Sequence, residues 1–77
     1  KATTRNIIFD LTGLSFMDSS GIGVLVGRYA NIQKLGGKAA IICRNEKIKR
    51  ILEISGVLKL MPLYEELDHA IKALLIA

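Results

Sequence analysis

The residue types with the most potential for chemistry lie together in residues 16–23. A carboxylate, Asp18, is followed there by two hydroxyls, Ser19 and Ser20, and then by two glycines. A helical pattern begins at the same place, so these side chains lie at the positive end of a predicted helix. Such side chains either cap the helix, by accepting hydrogen bonds from its free N–H groups, or offer a hydroxyl for modification.

Catalytic and cofactor-binding uses of this segment meet specific obstacles. A dinucleotide-binding loop would need a third glycine at the position of Val26 and a tighter turn than residues 12–20 allow. A P-loop would need Gly-Lys-Ser or Gly-Lys-Thr, which the chain lacks. The single histidine, His69, is remote in sequence, and an unperturbed Asp18 carboxylate, with a pKa of ~4, is a poor base for serine. No cysteine–histidine cluster has metal-ligand spacing, so we expect no enzymatic activity, no cofactor and no metal.

Two interpretations of residues 18–21 remain open, and chemistry alone favours capping, which is worth ~1 kcal/mol. As a substrate, a serine here would gain about −1.5 to −2 charges on phosphorylation. The helix dipole would tolerate that charge and Asp18 would repel it, so we expect an altered surface on a folded domain. Val24 lies opposite the predicted core side of the helix and would extend a contact surface, although single exposed aliphatic residues are ordinary.

Length and composition indicate one small domain with an aliphatic core. The 77 residues are 51% hydrophobic, without tryptophan, which is too apolar for a disordered chain. The net charge of +4 is spread along the chain without interleaved aromatics, so we expect no direct nucleic-acid partner. The single cysteine, Cys43, lies in an apolar run, and no run approaches the ~20 residues of a membrane helix. These features favour a cytoplasmic protein that does not bind a membrane.

Hydrophobic periodicity predicts three strands that alternate with three helices. Such alternation is typical of an α/β domain with a largely parallel sheet and right-handed crossovers. The predicted strands are residues 6–11, residues 38–43 and a short third strand over residues 57–61, which Pro62 ends at a sheet edge. The predicted helices run from Ser20 to the glycine pair at 36–37, from the N-cap Asn45 to about Ile54, and from about Tyr64 to Leu75.

The apolar stripes of these helices predict which side chains are buried. They are Ile22, Leu25, Val26 and Tyr29; Ile48, Ile51 and Leu52; and Leu67, Ala70, Ile71 and Leu74. The first two strands are unbroken apolar runs, typical of strands covered on both faces, and the helices cover only part of such a sheet. The chain also enters its first strand almost at once and without an initiating methionine. We therefore expect residues 1–77 to form one domain that lacks its N-terminal part.

Residues 14–29 closely resemble the STAS-domain anti-sigma factor antagonists of bacterial sporulation, and the anti-sigma F factor antagonists in particular. The similarity extends through Gly36-Gly37, Lys49-Arg50 and Ser55-Gly56, so it covers nearly the whole chain. The resemblance implies a STAS-like fold. It also implies N-terminal strands and a helix that are missing here, including a Gly-Glu-Leu-Asp segment.

The same resemblance implies a partner-switching function. In that family the first serine of Asp-Ser-Ser-Gly is phosphorylated by a partner that is both anti-sigma factor and serine kinase. This implies Ser19 as the phosphorylation site, with Asp18, Ser20, Gly21 and Val24 in the partner-binding surface. The unphosphorylated antagonist binds the anti-sigma factor and frees the sigma factor, which it affects only indirectly; phosphorylation releases it and a phosphatase resets it.

Two other interpretations stay open at this point. One is a STAS domain from another regulatory system or from an anion transporter. The other is a small nucleotide-binding α/β module.

Overall fold

A computed structural model describes residues 6–75, and the predictions that concern residues 1–5 lie outside this range. The described chain alternates strands and helices, as the periodicity predicts. Its elements are β1 (Ile7–Asp10), α1 (Ser19–Lys34), β2 (Ala39–Ile42), α2 (Glu46–Ser55), a 3₁₀ turn (Val57–Lys59), β3 (Leu63–Tyr64) and α3 (Leu67–Leu75). The three strands are parallel and lie in the order β1-β2-β3, which confirms the predicted α/β class.

The central strand is β2, and all four of its residues are buried. Its neighbours pair in parallel register, Ile7 with Ala39 on one side and Ile41 with Leu63 on the other. The first strand is covered in part on both faces of the described sheet, because Ile7 and Phe9 pack against one apolar cluster and Ile8 packs against the other. It is an edge strand there, with one hydrogen-bonded neighbour, and Ile7 to Phe9 are only partly buried.

The third strand lies later in the chain than its apolar run predicts. Gly56 has φ of +87° and ends α2, after which the amides of Lys59, Leu60 and Met61 donate to carbonyls within residues 56–57. Because these hydrogen bonds are local, Val57–Lys59 form a 3₁₀ turn and residues 57–61 contain no strand. Strand β3 starts after Pro62, whose carbonyl accepts from the Ile41 amide at 2.9 Å. The predicted edge position next to Pro62 is confirmed within the described sheet.

Two separate apolar clusters hold the helices against the sheet. On one face α1 and α2 pack over β1 and β2, with Leu25, Ile48 and Leu52 among the buried side chains. On the other face, within residues 6–75, α3 is the helix that covers β2, through Ala70 and Leu74. Helix α3 begins at Leu67, later than predicted, because Tyr64 belongs to β3. Three predicted core residues are exposed to solvent in the described part of the chain: Val26, Leu67 and Ile71.

Both predicted helix ends near glycine are confirmed. At the end of α1, Gly36 has φ of +78° and donates to the Gln33 carbonyl at 3.0 Å, while Gly37 donates to the Ile32 carbonyl at 2.9 Å. This is a Schellman motif, which needs a left-handed residue where glycine has no steric penalty. Asn45 caps α2 by accepting from the amides of residues 47 and 48 at 2.9 and 3.2 Å.

A surface network of ion pairs ties α2 to the segment after β3. Lys49 contacts the carboxylates of Glu65 and Glu46, and the Arg44 guanidinium donates to the Glu65 carbonyl and to the Glu66 carboxylate. The hydrogen bond from Lys49 lowers the pKa of Glu65, and the same contact raises the pKa of Lys49. These groups are near the surface, so salt should weaken the network.

Replacing a central core residue should cost far more than replacing an exposed one. Leu52 is fully buried between α2 and the sheet, so Leu52→Ala should lower the free energy of unfolding by about 2–5 kcal/mol in urea titration. The matched control is Leu75→Ala on α3, which removes an exposed side chain and should change stability by no more than about 0.5 kcal/mol. Equal losses in the two variants would contradict this placement of the core.

The ion-pair network should make stability depend on pH through Glu65. Because the folded pKa of Glu65 lies below its ordinary value of 4.5, its contribution is complete above that value and is lost as pH falls through the folded pKa. The raised pKa of Lys49 means that its contribution is complete below 10.5 and is lost as pH rises further.

Glu65→Gln should therefore melt at a lower temperature than the parent protein near neutral pH, and the difference should shrink as pH falls below 4.5. Thermal denaturation followed by circular dichroism measures it. The control is Glu53→Gln, because the Glu53 carboxylate makes no ion pair within residues 6–75. A Glu65→Gln difference that stays constant with pH would count against the ion pair.

Candidate functional site

Asp18 is the N-cap of α1. Its backbone is extended, with φ of −122° and ψ of −170°, and its Oδ1 accepts hydrogen bonds from the Ser20 and Gly21 amides at 3.1 and 3.2 Å. Its carbonyl accepts the first helical hydrogen bond, from the Ile22 amide at 3.2 Å. One carboxylate oxygen therefore satisfies two amides that the first turn would otherwise leave without a partner, an arrangement worth ~1 kcal/mol. The helix starts at Ser19, one residue earlier than predicted.

The connection from β1 to this cap is anchored at both ends. After the strand, Asp10 Oδ1 accepts from the backbone amide and the hydroxyl of Thr12 at 3.0 and 2.7 Å, and these contacts lower the pKa of Asp10. Just before the cap, Met17 is buried in the core. A Cβ at Gly21 would lie 3.0 Å from Met17 Cγ, so a larger residue there would push against a buried side chain. The position of the helix start is thus fixed by the core beneath it.

Ser19 and Ser20 are exposed in the first turn of α1. Within the described residues neither hydroxyl takes part in a hydrogen bond, because Asp18 supplies the capping interactions alone. Residue type alone is compatible with a cap formed by Asp18, Ser19 or Ser20. In the structure Asp18 forms the cap, and the two serine side chains take no part in it. Both hydroxyls are accessible to an external reactant.

Ser19 also lines a shallow apolar depression between the start of α1 and the end of α2, with a volume of about 350 Å³. We call it the α1–α2 depression. Its lining residues are Met17, Asp18, Ser19, Ile22, Ile51, Ile54 and Ser55. Sequence periodicity does not connect α2 with Ser19. The one available signal was Ile54, an aliphatic residue at the end of a helix whose other exposed positions are polar.

Val24 is 57% exposed, as its position on the helical wheel predicts. Val24 lies five positions after Ser19, so the two side chains are about 140° apart around the helix axis. Val24 does not line the α1–α2 depression and instead shares a helix side with Ser20, four residues earlier. Ser19 therefore faces the α1–α2 depression, whereas Ser20 and Val24 lie on another side of α1.

The chemistry of this site does not favour hydrolysis or phosphate binding. Its lining includes no histidine and no cation, and His69 is exposed on α3. Phosphate binding at a helix start uses free backbone amides, and Asp18 already occupies those of Ser20 and Gly21. Across residues 6–75 no three histidine, cysteine or acidic side chains are grouped to hold a metal ion. In the same range, no helix is both long and apolar enough to cross a membrane.

Comparison with known proteins identifies one domain family and relatives that share a name. Residues 1–70 match the STAS domain family. The chain is 42% identical over 70 residues to an anti-sigma F factor antagonist of Paenibacillus polymyxa, covering 91% of this chain and 60% of that protein. It is 33% identical over 57 residues to an anti-sigma F factor antagonist of Lysinibacillus sphaericus, covering 74% of this chain and 49% of that protein.

A relative named for a different anti-sigma factor has a similar sequence identity to this chain. An anti-sigma-B factor antagonist of Staphylococcus aureus is 34% identical over 62 residues, which is 80% of this chain and 57% of that protein. The chain thus spans about half to three fifths of the length of the curated relatives that it matches. The family match, the parallel α/β sheet and the relatives agree, and the chain belongs to the STAS domain family.

Proposed function

We propose that this STAS domain acts as an anti-sigma factor antagonist that phosphorylation of Ser19 switches off. The observation that carries the proposal is the division of tasks at the start of α1. Asp18 caps the helix, so the exposed Ser19 hydroxyl has no structural role and is held at a fixed point of the surface. The relatives named anti-sigma F factor antagonist support the antagonist part of this proposal.

In the proposed active state, the unphosphorylated domain binds an anti-sigma factor and so frees a sigma factor that it never contacts itself. The contact surface includes Asp18, Ser19, Ser20, Gly21 and Val24. We propose no direct contact with nucleic acid or membrane and a cytoplasmic location, where transcription takes place.

The partner is also a serine kinase in this proposal. The Ser19 Oγ attacks the γ-phosphorus of ATP, the bond from that phosphorus to the bridging oxygen of ADP breaks, and the hydroxyl proton passes to a base. The kinase supplies that base, because the lining of the α1–α2 depression contains no histidine and Asp18 is engaged in the cap. A phosphatase reverses the switch by hydrolysing the phosphoserine to serine and inorganic phosphate.

The added charge should change the surface without unfolding the domain. A phosphoserine at the first position of α1 gains from the positive end of the helix dipole, whereas the neighbouring Asp18 carboxylate repels it. No cation lines the depression to pair with the new charge, and the remaining lining is mainly apolar. A partner that covers this region would have to desolvate an unpaired phosphate, which is costly.

Incubation of the full-length protein with its kinase and ATP should add one phosphate, at Ser19. Mass spectrometry of the digested product would locate it. Ser19→Ala should abolish incorporation, because the acceptor hydroxyl is removed while the Asp18 cap is kept. The matched control is Ser15→Ala, which removes an exposed hydroxyl outside the proposed contact surface and should leave incorporation at one phosphate per chain. Equal labelling of Ser19→Ala and the parent protein would show that Ser19 is not the acceptor.

A further inference from the structure

The start of α1 has more than one side chain able to cap it. Serine and aspartate are both preferred at an N-cap, because each carries an oxygen that reaches the amides two or three residues later. In the structure Asp18 accepts from the Ser20 and Gly21 amides at 3.1 and 3.2 Å. Within residues 6–75 the hydroxyls of Ser19 and Ser20 make no hydrogen bond. One cap is therefore in use, and two further cap-forming residues follow it directly.

The start of α2 has the same cap without such a competitor. Asn45 accepts from the Lys47 and Ile48 amides at 2.9 and 3.2 Å, as Asp18 does at α1. The next residue, Glu46, is not of a type that is preferred at an N-cap. Removing the Asn45 side chain would therefore leave the first turn of α2 without a cap. Removing the Asp18 side chain would instead allow Ser19 to become the cap of α1.

A cap formed by Ser19 would engage its hydroxyl. Ser19 would then leave the helix, and its Oγ would accept from the Gly21 and Ile22 amides. The rest of α1 would stay in place, because Leu25 is buried and the Gly21 backbone lies against the buried Met17. The helix would thus begin one residue later, with the Ser19 oxygen turned toward its own backbone.

We propose that Asp18 is a positioning residue for phosphorylation: by capping α1, it prevents Ser19 from becoming the cap and keeps the Ser19 hydroxyl free to react. This inference rests on the proposed function and assigns Asp18 a task other than contact with the partner. Attack on the γ-phosphorus of ATP uses a lone pair of the Ser19 Oγ, and two capping hydrogen bonds would occupy that oxygen. The competition between the two caps therefore sets the fraction of chains that can be phosphorylated.

The oxygen of Asp18 matters in this inference, and its charge does not. Asparagine caps a helix as well as aspartate does, so Asp18→Asn should keep the Asp18 arrangement. The negative charge of Asp18 would in fact repel the phosphate that is added next to it. Alanine and glycine offer no acceptor at position 18. Glycine is itself tolerated at an N-cap, so Asp18→Gly should remove the acceptor and leave the domain folded.

The test is a time course of the full-length protein with the anti-sigma F factor of Paenibacillus polymyxa and ATP, in which mass spectrometry measures the phosphate on Ser19. Asp18→Ala and Asp18→Gly should slow phosphorylation of Ser19 about fivefold or more, the factor that corresponds to a cap worth ~1 kcal/mol. Asp18→Asn should restore the rate to within about twofold of the parent protein. The matched control is Asn45→Ala, which removes the equivalent cap from α2 and should also stay within about twofold.

Nuclear magnetic resonance tests the exchange of caps without the kinase. The present cap, Asp18, has an extended backbone, whereas Ser19 is helical. In Asp18→Ala the Cα chemical shift of Ser19 should therefore move from its helical value toward an extended one. An unchanged shift in the folded variant would overturn the inference. Circular dichroism checks the fold of each variant, and Asp18→Gly decides the outcome if Asp18→Ala does not fold.

The kinetic outcomes separate this inference from the proposed function. A parent protein that is phosphorylated on Ser19, with Asp18→Ala or Asp18→Gly folded and equally fast, would overturn the inference and leave the proposed function standing. Slow phosphorylation of Asp18→Asn would assign the effect to the charge, and an equal loss in Asn45→Ala would assign it to general stability. Either result would also overturn the inference alone. A parent protein that gains no phosphate on Ser19 would overturn both.

Discussion

The hydrogen bonds from the first turn of α1 to the Asp18 carboxylate are the interaction on which the site depends. By accepting from the Ser20 and Gly21 amides, one side chain ends the loop, starts the helix and leaves the serine hydroxyls without a structural task. The buried Met17 before it and the close approach of Gly21 behind it fix the cap to the core. The Ser19 hydroxyl is consequently exposed at a helix start that is anchored to the core. Such a position suits a residue that a partner must both recognise and modify, because little conformational freedom is lost on binding.

Much of the fold was predictable because its signals are local. Asn45 and the glycines at 36 and 56 mark helix ends that depend on one or two residues, and the structure confirms each of them. The apolar runs also predicted a parallel sheet, since strands that alternate with helices have few other arrangements. Residues 57–61 were misassigned as a strand because burial and strand formation both select apolar residues. Residues 57–61 are mostly apolar because Val57 and Met61 are buried in the core. The backbone hydrogen bonds of this segment are local and form no strand.

The candidate site was predictable only where it is continuous in sequence. Residues 18–21 carry their own signal, and the sequence correctly placed them at a helix start with Val24 exposed. Residue type alone does not say which of the three polar side chains forms the cap; in the structure it is Asp18, directly after the buried Met17. The contribution of Ile51 and Ile54 needs the relative placement of α1 and α2, which both pack on the same face of the sheet. Helical periodicity gives the buried side of each helix separately and contains no information on how two helix ends meet.

We propose that a phosphate on Ser19 controls the affinity of this surface for an anti-sigma factor. The most direct measurement compares the unphosphorylated protein with a preparation phosphorylated only at Ser19, each titrated calorimetrically with the anti-sigma F factor of Paenibacillus polymyxa. We expect the dissociation constant to rise at least tenfold on phosphorylation, a loss of about 1.4 kcal/mol or more, while circular dichroism shows an unchanged fold. Equal dissociation constants for the two forms would contradict it.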